Sequence, residues 1–180
     1  MNFKRIRLVV LFTITIFITS CSSDDNGDNP NQSKNEVTFN GTTYDITTAW
    51  INDENTTTND PSDIGISLFN KTTSEINSGN DLTNITFIYF DFTEVDLQEK
   101  TYTEIWDYDF SINGTLISGE FTPGTVFLSD GDSNLDIYAS SSTVTINNLT
   151  DTTVDLTFSF TRKDGKVISG NYSGNYIDPN

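Results

Sequence analysis

Apolar residues recur at every second position along much of the chain after residue 36, and this alternation constrains the fold more than any other feature. The clearest run places Val154, Leu156, Phe158 and Phe160 at alternate positions. A period of two is that of a β-strand, in which successive side chains point to opposite faces of a sheet. Since no segment shows a convincing amphipathic helical period, the sequence predicts an all-β fold.

One segment, residues 84–93, is apolar on both of its faces. Ile88 and Phe90 fall on one face, while Phe87 and Tyr89 fall on the other. A strand with two apolar faces is typical of a position inside a sheet that is covered on both sides. We therefore expect residues 84–93 to form a central strand.

Turn residues between the alternating runs indicate hairpins. Asn40-Gly41 and Asn113-Gly114 are typical two-residue hairpin turns, because both residue types tolerate positive φ. Residues 163–165 predict a three-residue loop that pairs Phe158 with Gly170 across two strands. An aromatic side chain lying over a cross-strand glycine is a known way to stabilise a sheet.

Two runs of alternating residues predict which side chains share a face. The first is Tyr44, Ile46, Thr48 and Trp50, and the second is Trp106, Tyr108, Phe110 and Ile112. Each run is predicted to lie on one strand and to face the core. Both tryptophans then belong to the core or its rim.

The strands and turns together predict an antiparallel meander of about nine or ten strands in a single domain, residues 36–180. Two ways of closing such a meander remain open, a β-sandwich and a lipocalin-like barrel. The length of residues 36–180 is that of a single domain.

The first 20 residues have the pattern of a secretory signal peptide. Lys4, Arg5 and Arg7 form a basic start, and an apolar run of eleven residues, 8–18, follows them. A membrane-spanning helix needs roughly 20 apolar residues, so this run is too short to be one. Cys21 is the one cysteine of the chain and stands where the cleavage site is expected.

The motif Ile18-Thr19-Ser20-Cys21 resembles the lipobox of bacterial lipoproteins. That resemblance implies attachment of diacylglycerol to the Cys21 sulfur, cleavage before Cys21 and acylation of the new amino end. Two or more acyl chains hold a protein stably at a bilayer. The acidic segment 21–35 resembles the tether of small uncharacterised lipoproteins of Bacteroidota, which implies an outer membrane location, at the cell surface or facing the periplasm.

Composition excludes several classes of function. The chain carries 26 acidic and 9 basic residues, a net charge of −17, so nucleic acid is excluded as a partner. It has no histidine, and acylation would consume the thiol of Cys21. Histidine-dependent nucleophiles, thiolate metal sites and disulfides are therefore excluded, and any chemistry must come from carboxylates, Tyr, Lys or Arg.

Residues 130–136 have the spacing of a calcium-binding loop. Oxygen-bearing side chains occupy every second position, at Asp130, Asp132, Asn134 and Asp136. Calcium takes six to eight oxygen ligands, so calcium is the one cofactor that the sequence indicates. In so acidic a chain, a solvated turn is the alternative interpretation.

Aromatic residues supply the candidate ligand-binding site. Trp50, Trp106 and Tyr108, together with Tyr89 and Tyr102, are candidates for a platform on which a sugar ring could stack. Packing in the core or at its rim is the alternative interpretation of the same residues.

Asp151-Thr152-Thr153 resembles the O-glycosylation motif of Bacteroidota, and that resemblance implies sugar attached to Thr152. The motif falls between two predicted strands, in a turn. We expect Thr152 to be exposed if the resemblance holds.

Three hypotheses on function remain open. The first is a non-enzymatic membrane-anchored lipoprotein that binds a glycan, a small ligand or an envelope protein. The second is a structural or adhesin-type subunit of the envelope. The third is a carboxylate-based glycoside hydrolase using Asp107 and Asp109, which stand at i and i+2 of one predicted strand, about 7 Å apart.

Overall fold

The computed structural model describes residues 34–178, and the all-β prediction is confirmed there. Twelve strands fall in the described range: β1 Glu36–Phe39, β2 Thr42–Asp45, β3 Thr48–Asp53, β4 Ser62–Phe69, β5 Leu82–Glu94, β6 Thr101–Tyr102, β7 Tyr108–Ile117, β8 Glu120–Thr122, β9 Thr125–Ser129, β10 Ala139–Leu149, β11 Thr153–Arg162 and β12 Val167–Ile177. One short helix, α1 (Thr73–Ile76), lies between β4 and β5. Between residues 34 and 178, no helix is long and apolar enough to cross a membrane.

The strands form two layers that face each other. Layer A has the order β2-β1-β12-β11-β10-β6, and layer B has the order β3-β4-β5-β7, with β8 and β9 both paired to β7. The two layers join where the end of β12 pairs in parallel with β3, whereas the other pairings are antiparallel. Over the described residues the sheet is not closed, since its path ends at β6 and β8. The fold is therefore sandwich-like.

Aromatic rings from the two layers meet in the core. The ring of Phe90 on β5 lies 5.5 Å from that of Phe158 on β11, and Tyr108 on β7 lies 5.5 Å from Phe160. Phe90 and Phe160 are completely buried. Burial of such large apolar side chains is the main stabilising contribution to a sandwich.

The predicted central strand is confirmed, and the number of strands exceeds the nine or ten expected. β5 lies between β4 and β7 in layer B. The additional strands include β6 and β8, of two and three residues. The count is also higher because the predicted strand through residues 44–50 is divided into β2 and β3.

The predicted strand through residues 44–50 is wrong, because the chain crosses between layers in the middle of it. β2 ends at residue 45, the Ile46 amide donates to the Asn35 carbonyl in layer A, and the Thr47 amide donates to the Phe69 carbonyl in layer B. On β3 the core side chains are Ala49 and Ile51. Trp50 therefore points to the outside of layer B.

The hairpin predicted at Asn113-Gly114 is also wrong. β7 runs through both residues, and the chain turns instead at Ser118 and Gly119, with φ of 52° and 82°. Asn113 has φ of 56° at an irregularity in the pairing of β5 with β7. A bulge uses the same positive φ as a hairpin turn, so the dipeptide alone does not distinguish them.

The other two turns are confirmed. Asn40 and Gly41, with φ of 51° and 75°, connect β1 to β2. Gly165 has φ of 80°, and the pairing of Phe158 with Gly170 is as predicted. A Cβ atom at Gly170 would lie 2.4 Å from the Phe158 ring, so the aromatic side chain does cover the glycine.

Asn35, placed by the sequence at the end of the tether, is attached to the folded domain. Its side chain donates to the Ser173 carbonyl at 3.2 Å and accepts from the Ser173 amide at 2.8 Å. Residues 1–33, with the predicted signal peptide, Cys21 and most of the predicted tether, lie outside the described residues.

Candidate functional site

The outer face of layer B carries a continuous set of aromatic side chains, which we call the outer row. Its members are all half-buried: Trp50 on β3, Phe69 on β4, Phe87 and Tyr89 on β5, and Phe121 on β8. The row exists because β5 is apolar on both faces, and its neighbours place aromatic residues beside it. The row therefore lies on the side of layer B that faces away from the core.

Each ring of the outer row contacts the next. The centroids of Trp50 and Phe69 are 5.4 Å apart, those of Phe69 and Phe87 are 5.1 Å apart, and those of Phe87 and Phe121 are 5.1 Å apart. Tyr89 stacks on Phe87 at 6.5 Å with an interplanar angle of 12°. Tilted and edge-to-face contacts of this kind stabilise aromatic clusters beyond simple area burial.

Two glycines allow rings of the outer row to lie close against the sheet. A Cβ atom at Gly65 would lie 3.0 Å from the Tyr89 ring, and one at Gly114 would lie 2.9 Å from the Phe121 ring. Both glycines therefore provide space that any other residue would occupy. The rings cover the backbone at these positions.

A cavity of about 320 Å³ lies at the β8 end of the outer row. Four of its lining residues are apolar and three are polar: Phe87, Phe121, Pro123 and Val126, with Asp109, Ser111 and Ser129. Phe87 and Phe121 belong to both the row and the cavity wall. The cavity is thus continuous with the outer row, and its volume is within the range of small-ligand sites.

Two polar atoms on this face lack hydrogen-bond partners. In residues 34–178, the buried side-chain polar atoms without a partner are Trp50 Nε1 and Ser111 Oγ. Ser111 is only 2% exposed and lines the cavity. Since buried polar groups are normally hydrogen-bonded, two exceptions at opposite ends of one aromatic row mark this face as unusual.

Carboxylates surround the cavity end of the row. Burial raises the pKa of Asp109, with a hydrogen bond from Ser129 acting in the opposite direction. Burial also raises the pKa of Asp130, and its hydrogen bond with Asp107 adds to the effect. Carboxylates of three residues, Asp107, Asp109 and Asp130, therefore lie close together at this end of the row.

Asp91 is a fully buried carboxylate on the same face. It is 5% exposed and accepts hydrogen bonds from the Tyr89 hydroxyl at 3.1 Å and the Asp107 amide at 3.0 Å. Burial raises its pKa, while these two hydrogen bonds act in the opposite direction. Asp91 thus holds Tyr89 in place within the outer row.

The three residues predicted to bind a ligand are not brought together. Trp50 lies in the outer row, as does Tyr89. Tyr108 is a core residue, 4% exposed, and its hydroxyl accepts from the Ala139 amide at 3.1 Å. Its predicted orientation toward the core is confirmed.

Trp106 differs from its predicted core position. It lies in the loop before β7 and is 61% exposed. Its backbone amide donates a hydrogen bond to the Asp91 carbonyl. It lines a shallow cleft of about 410 Å³ that also contains Lys100 and Glu94, which form an ion pair. Strands β4 and β5 separate β3, which carries Trp50, from this loop.

The four residues predicted to bind calcium lie in the loop between β9 and β10. Asp130 faces Asp107 and Asp109, whereas Asp132 is exposed and accepts from the Asn134 amide at 2.8 Å. Asp136 is also exposed. No group of three or more acidic side chains in the described part of the chain is placed to hold a metal ion. Calcium binding stays a prediction.

Thr152 is exposed in the turn between β10 and β11. Its amide donates to the Thr150 hydroxyl at 3.3 Å, and its carbonyl accepts from the Tyr176 amide at 3.1 Å. The hydroxyl of Thr152 is therefore accessible, and O-glycosylation there stays a prediction.

Sequence reasoning missed Phe69, Phe87, Phe121 and Ser111 as residues of a candidate site. The signal that could have found the row was the second apolar face of residues 84–93. That face was assigned to the interior because two apolar faces indicate cover on both sides.

A comparison of the chain with protein-family models, curated proteins and solved structures finds no match in any of the three.

Proposed function

We propose that this protein is a non-enzymatic, lipid-anchored binding protein of the outer membrane, and that the outer row of layer B binds a glycan. The anchoring part of the proposal rests on the resemblance of residues 18–21 to a lipobox. The binding part rests on the outer row, whose half-buried rings form a continuous aromatic surface on the outer face of layer B.

A row of half-buried rings suits the apolar faces of sugar rings. Aromatic side chains combine a large apolar area with little loss of conformational freedom on binding, which makes them efficient contact residues. Three ring contacts, each with centroids 5.1 to 5.4 Å apart, connect Trp50 to Phe121, so the row extends over roughly 15 Å. That length favours an oligosaccharide over a single sugar.

The adhesin hypothesis receives less support from the surface. The large apolar side chains that are exposed lie on five separate segments: Trp106, Ile117, Leu135, Val167 and Ile177. A protein-binding site usually presents a contiguous apolar patch. The outer row is the larger continuous feature, so the glycan proposal has the better structural basis.

The proposal is tested with the full chain, purified in detergent and applied to an array of bacterial and plant glycans. A ligand identified there is titrated calorimetrically against Trp50→Ala and Phe69→Ala. We expect each variant to lose at least about tenfold in affinity, or ~1.4 kcal/mol.

Val167→Ala is the matched control, because Val167 is an exposed apolar residue of layer A. It should leave the affinity unchanged. Thermal melting identifies any variant that has lost its fold. Absence of binding to every glycan on the array, or binding that both outer-row variants retain, would reject the proposal.

A further inference from the structure

We propose that the cavity at the β8 end of the outer row binds the ammonium group of an amino-sugar unit in the glycan. This inference rests on the proposed function and deepens it, because it names the chemical feature that the end of the site selects. Four observations on the described residues support it.

The first observation is the chemistry of the cavity wall. Its polar members are Asp109, Ser111 and Ser129, and its other members are two phenylalanines, a proline and a valine. A carboxylate and hydroxyls accept hydrogen bonds, and aromatic faces attract cations, so these groups suit an ammonium. No basic residue lines this cavity to compete with an incoming cation.

The second observation is the unpaired hydroxyl of Ser111. Its Oγ atom has no partner in the structure, although the residue is 2% exposed. A buried polar atom without a partner costs free energy, which a ligand donor could recover. An ammonium has three donors and can therefore bond Asp109 and Ser111 together.

The third observation is the charge around Asp109. Asp107 and Asp130 lie close enough to interact with it electrostatically, and Asp109 itself is half-buried. Burial of a carboxylate beside other carboxylates disfavours its charged form. A bound cation would offset that cost, so the cavity favours a positively charged group over a neutral one.

The fourth observation is the continuity of the cavity with the outer row. Phe87 contacts Phe69 in the row and also lines the cavity. A saccharide lying along the row would therefore bring its terminal unit to Asp109. This continuity favours an amine carried on a sugar over a free amine.

The test uses three β-1,4-linked tetrasaccharides that differ at one substituent of each ring. They are the tetramers of glucose, N-acetylglucosamine and glucosamine, and only the last carries free amines. Each is titrated against the full chain in detergent at about pH 6, below the pKa of a typical amino group. We expect the glucosamine tetramer to bind at least about tenfold more tightly than the glucose tetramer.

Two variants locate the preference. Asp109→Asn should reduce the ratio of the two affinities to about one, and Ser111→Ala should reduce it partially. Glu120→Gln is the control, because it removes one exposed charge on β8 without changing the cavity wall. It should leave the ratio unchanged.

The remaining outcomes separate this inference from the proposed function. Equal binding of the glucose and glucosamine tetramers, abolished by Trp50→Ala, would overturn the inference and support the proposed function. A preference for glucosamine that survives in Asp109→Asn and disappears with added salt would reflect the net charge of the whole chain and would also overturn it. If none of the three tetramers binds, the inference is overturned, and the proposed function then depends on the wider glycan array.

Discussion

Phe87 packs edge to face against Phe121, with ring centroids 5.1 Å apart and an interplanar angle of 61°. This contact joins a central strand of layer B to the short strand β8, which pairs only with β7 among the described strands. It also forms the corner where the outer row meets the cavity.

Phe87→Ala should weaken both the outer row and the cavity. The ring is half-buried, so its loss should lower the free energy of unfolding by about 1–2 kcal/mol, as measured by urea denaturation. It should also weaken binding of any glycan that the chain recognises. Phe87→Leu, which keeps apolar volume without a ring, should recover most of the stability and little of the binding. Equal recovery of both would show that Phe87 acts only in packing.

Ser111→Ala should leave the free energy of unfolding unchanged or raise it by up to about 1 kcal/mol. Removing a buried hydroxyl without a partner relieves a desolvation cost, whereas loss of a hydrogen-bonded hydroxyl destabilises a protein. Urea denaturation measures the change. Ser159→Ala is a suitable comparison, since Ser159 is a half-buried serine of β11. A loss of more than about 1 kcal/mol at Ser111 would contradict the absence of a partner.

Gly170→Ala should destabilise the domain by about 1–3 kcal/mol. The added Cβ would lie 2.3 Å from the Glu36 carbonyl oxygen and 2.4 Å from the Phe158 ring, so either the backbone of β1 or the ring must move. Gly131→Ala is the control, because the nearest atom to its Cβ is the Ser129 hydroxyl at 3.5 Å. Thermal melting should show a clear drop in Tm for the first variant alone.

Asp91 should make the domain less stable as the pH rises. Its pKa is raised above the ordinary value of 3.8 in the folded state, so the folded chain binds that proton more tightly than the unfolded chain does. The stabilising contribution is present below the ordinary pKa and is lost as the pH rises through the raised pKa. The free energy of unfolding of Asp91→Asn, minus that of the unchanged chain, should therefore increase from about pH 4 to about pH 7.

Taking that difference at each pH removes the contributions of other carboxyls. Glu75 has a lowered pKa, caused first by a backbone hydrogen bond at Thr72, and its contribution has the opposite sign. A difference between Asp91→Asn and the unchanged chain that stays constant over this pH range would contradict the raised pKa.

Cys21→Ser should abolish incorporation of a labelled palmitate into the chain in a bacterial host that processes lipoproteins. The reason is that the lipobox resemblance places the acyl group on the Cys21 sulfur and on the amino end created beside it. Cys21 is the one cysteine, so no other thiol can substitute. Ser22→Ala is the matched control and should keep the label. Undiminished labelling of Cys21→Ser would refute lipidation at this position.

The sequence predicted two of the three hairpin turns correctly. The alternating run and the loop predicted at residues 163–165 together located the hairpin that pairs Phe158 with Gly170, and Gly165 in that loop has positive φ. The asparagine–glycine pair at 113–114 also followed an alternating run, Trp106 to Ile112, but a bulge satisfied it as well as a turn did. Part of the candidate site was predicted from its aromatic residue types, through Trp50 and Tyr89. Trp106 and Tyr108 lie elsewhere.

By itself, the amino-acid sequence determined that the chain is all-β, which segment is the central strand, and which side chains share a face within an uninterrupted strand. It could not determine which face is covered, because a period of two looks the same whether the apolar side turns inward or outward. Only the pairing of β12 with β3, together with the crossing of the chain between layers at residues 46–47, turned Trp50 outward beside Phe69. The tertiary structure thereby decided that these aromatic residues form an outer row.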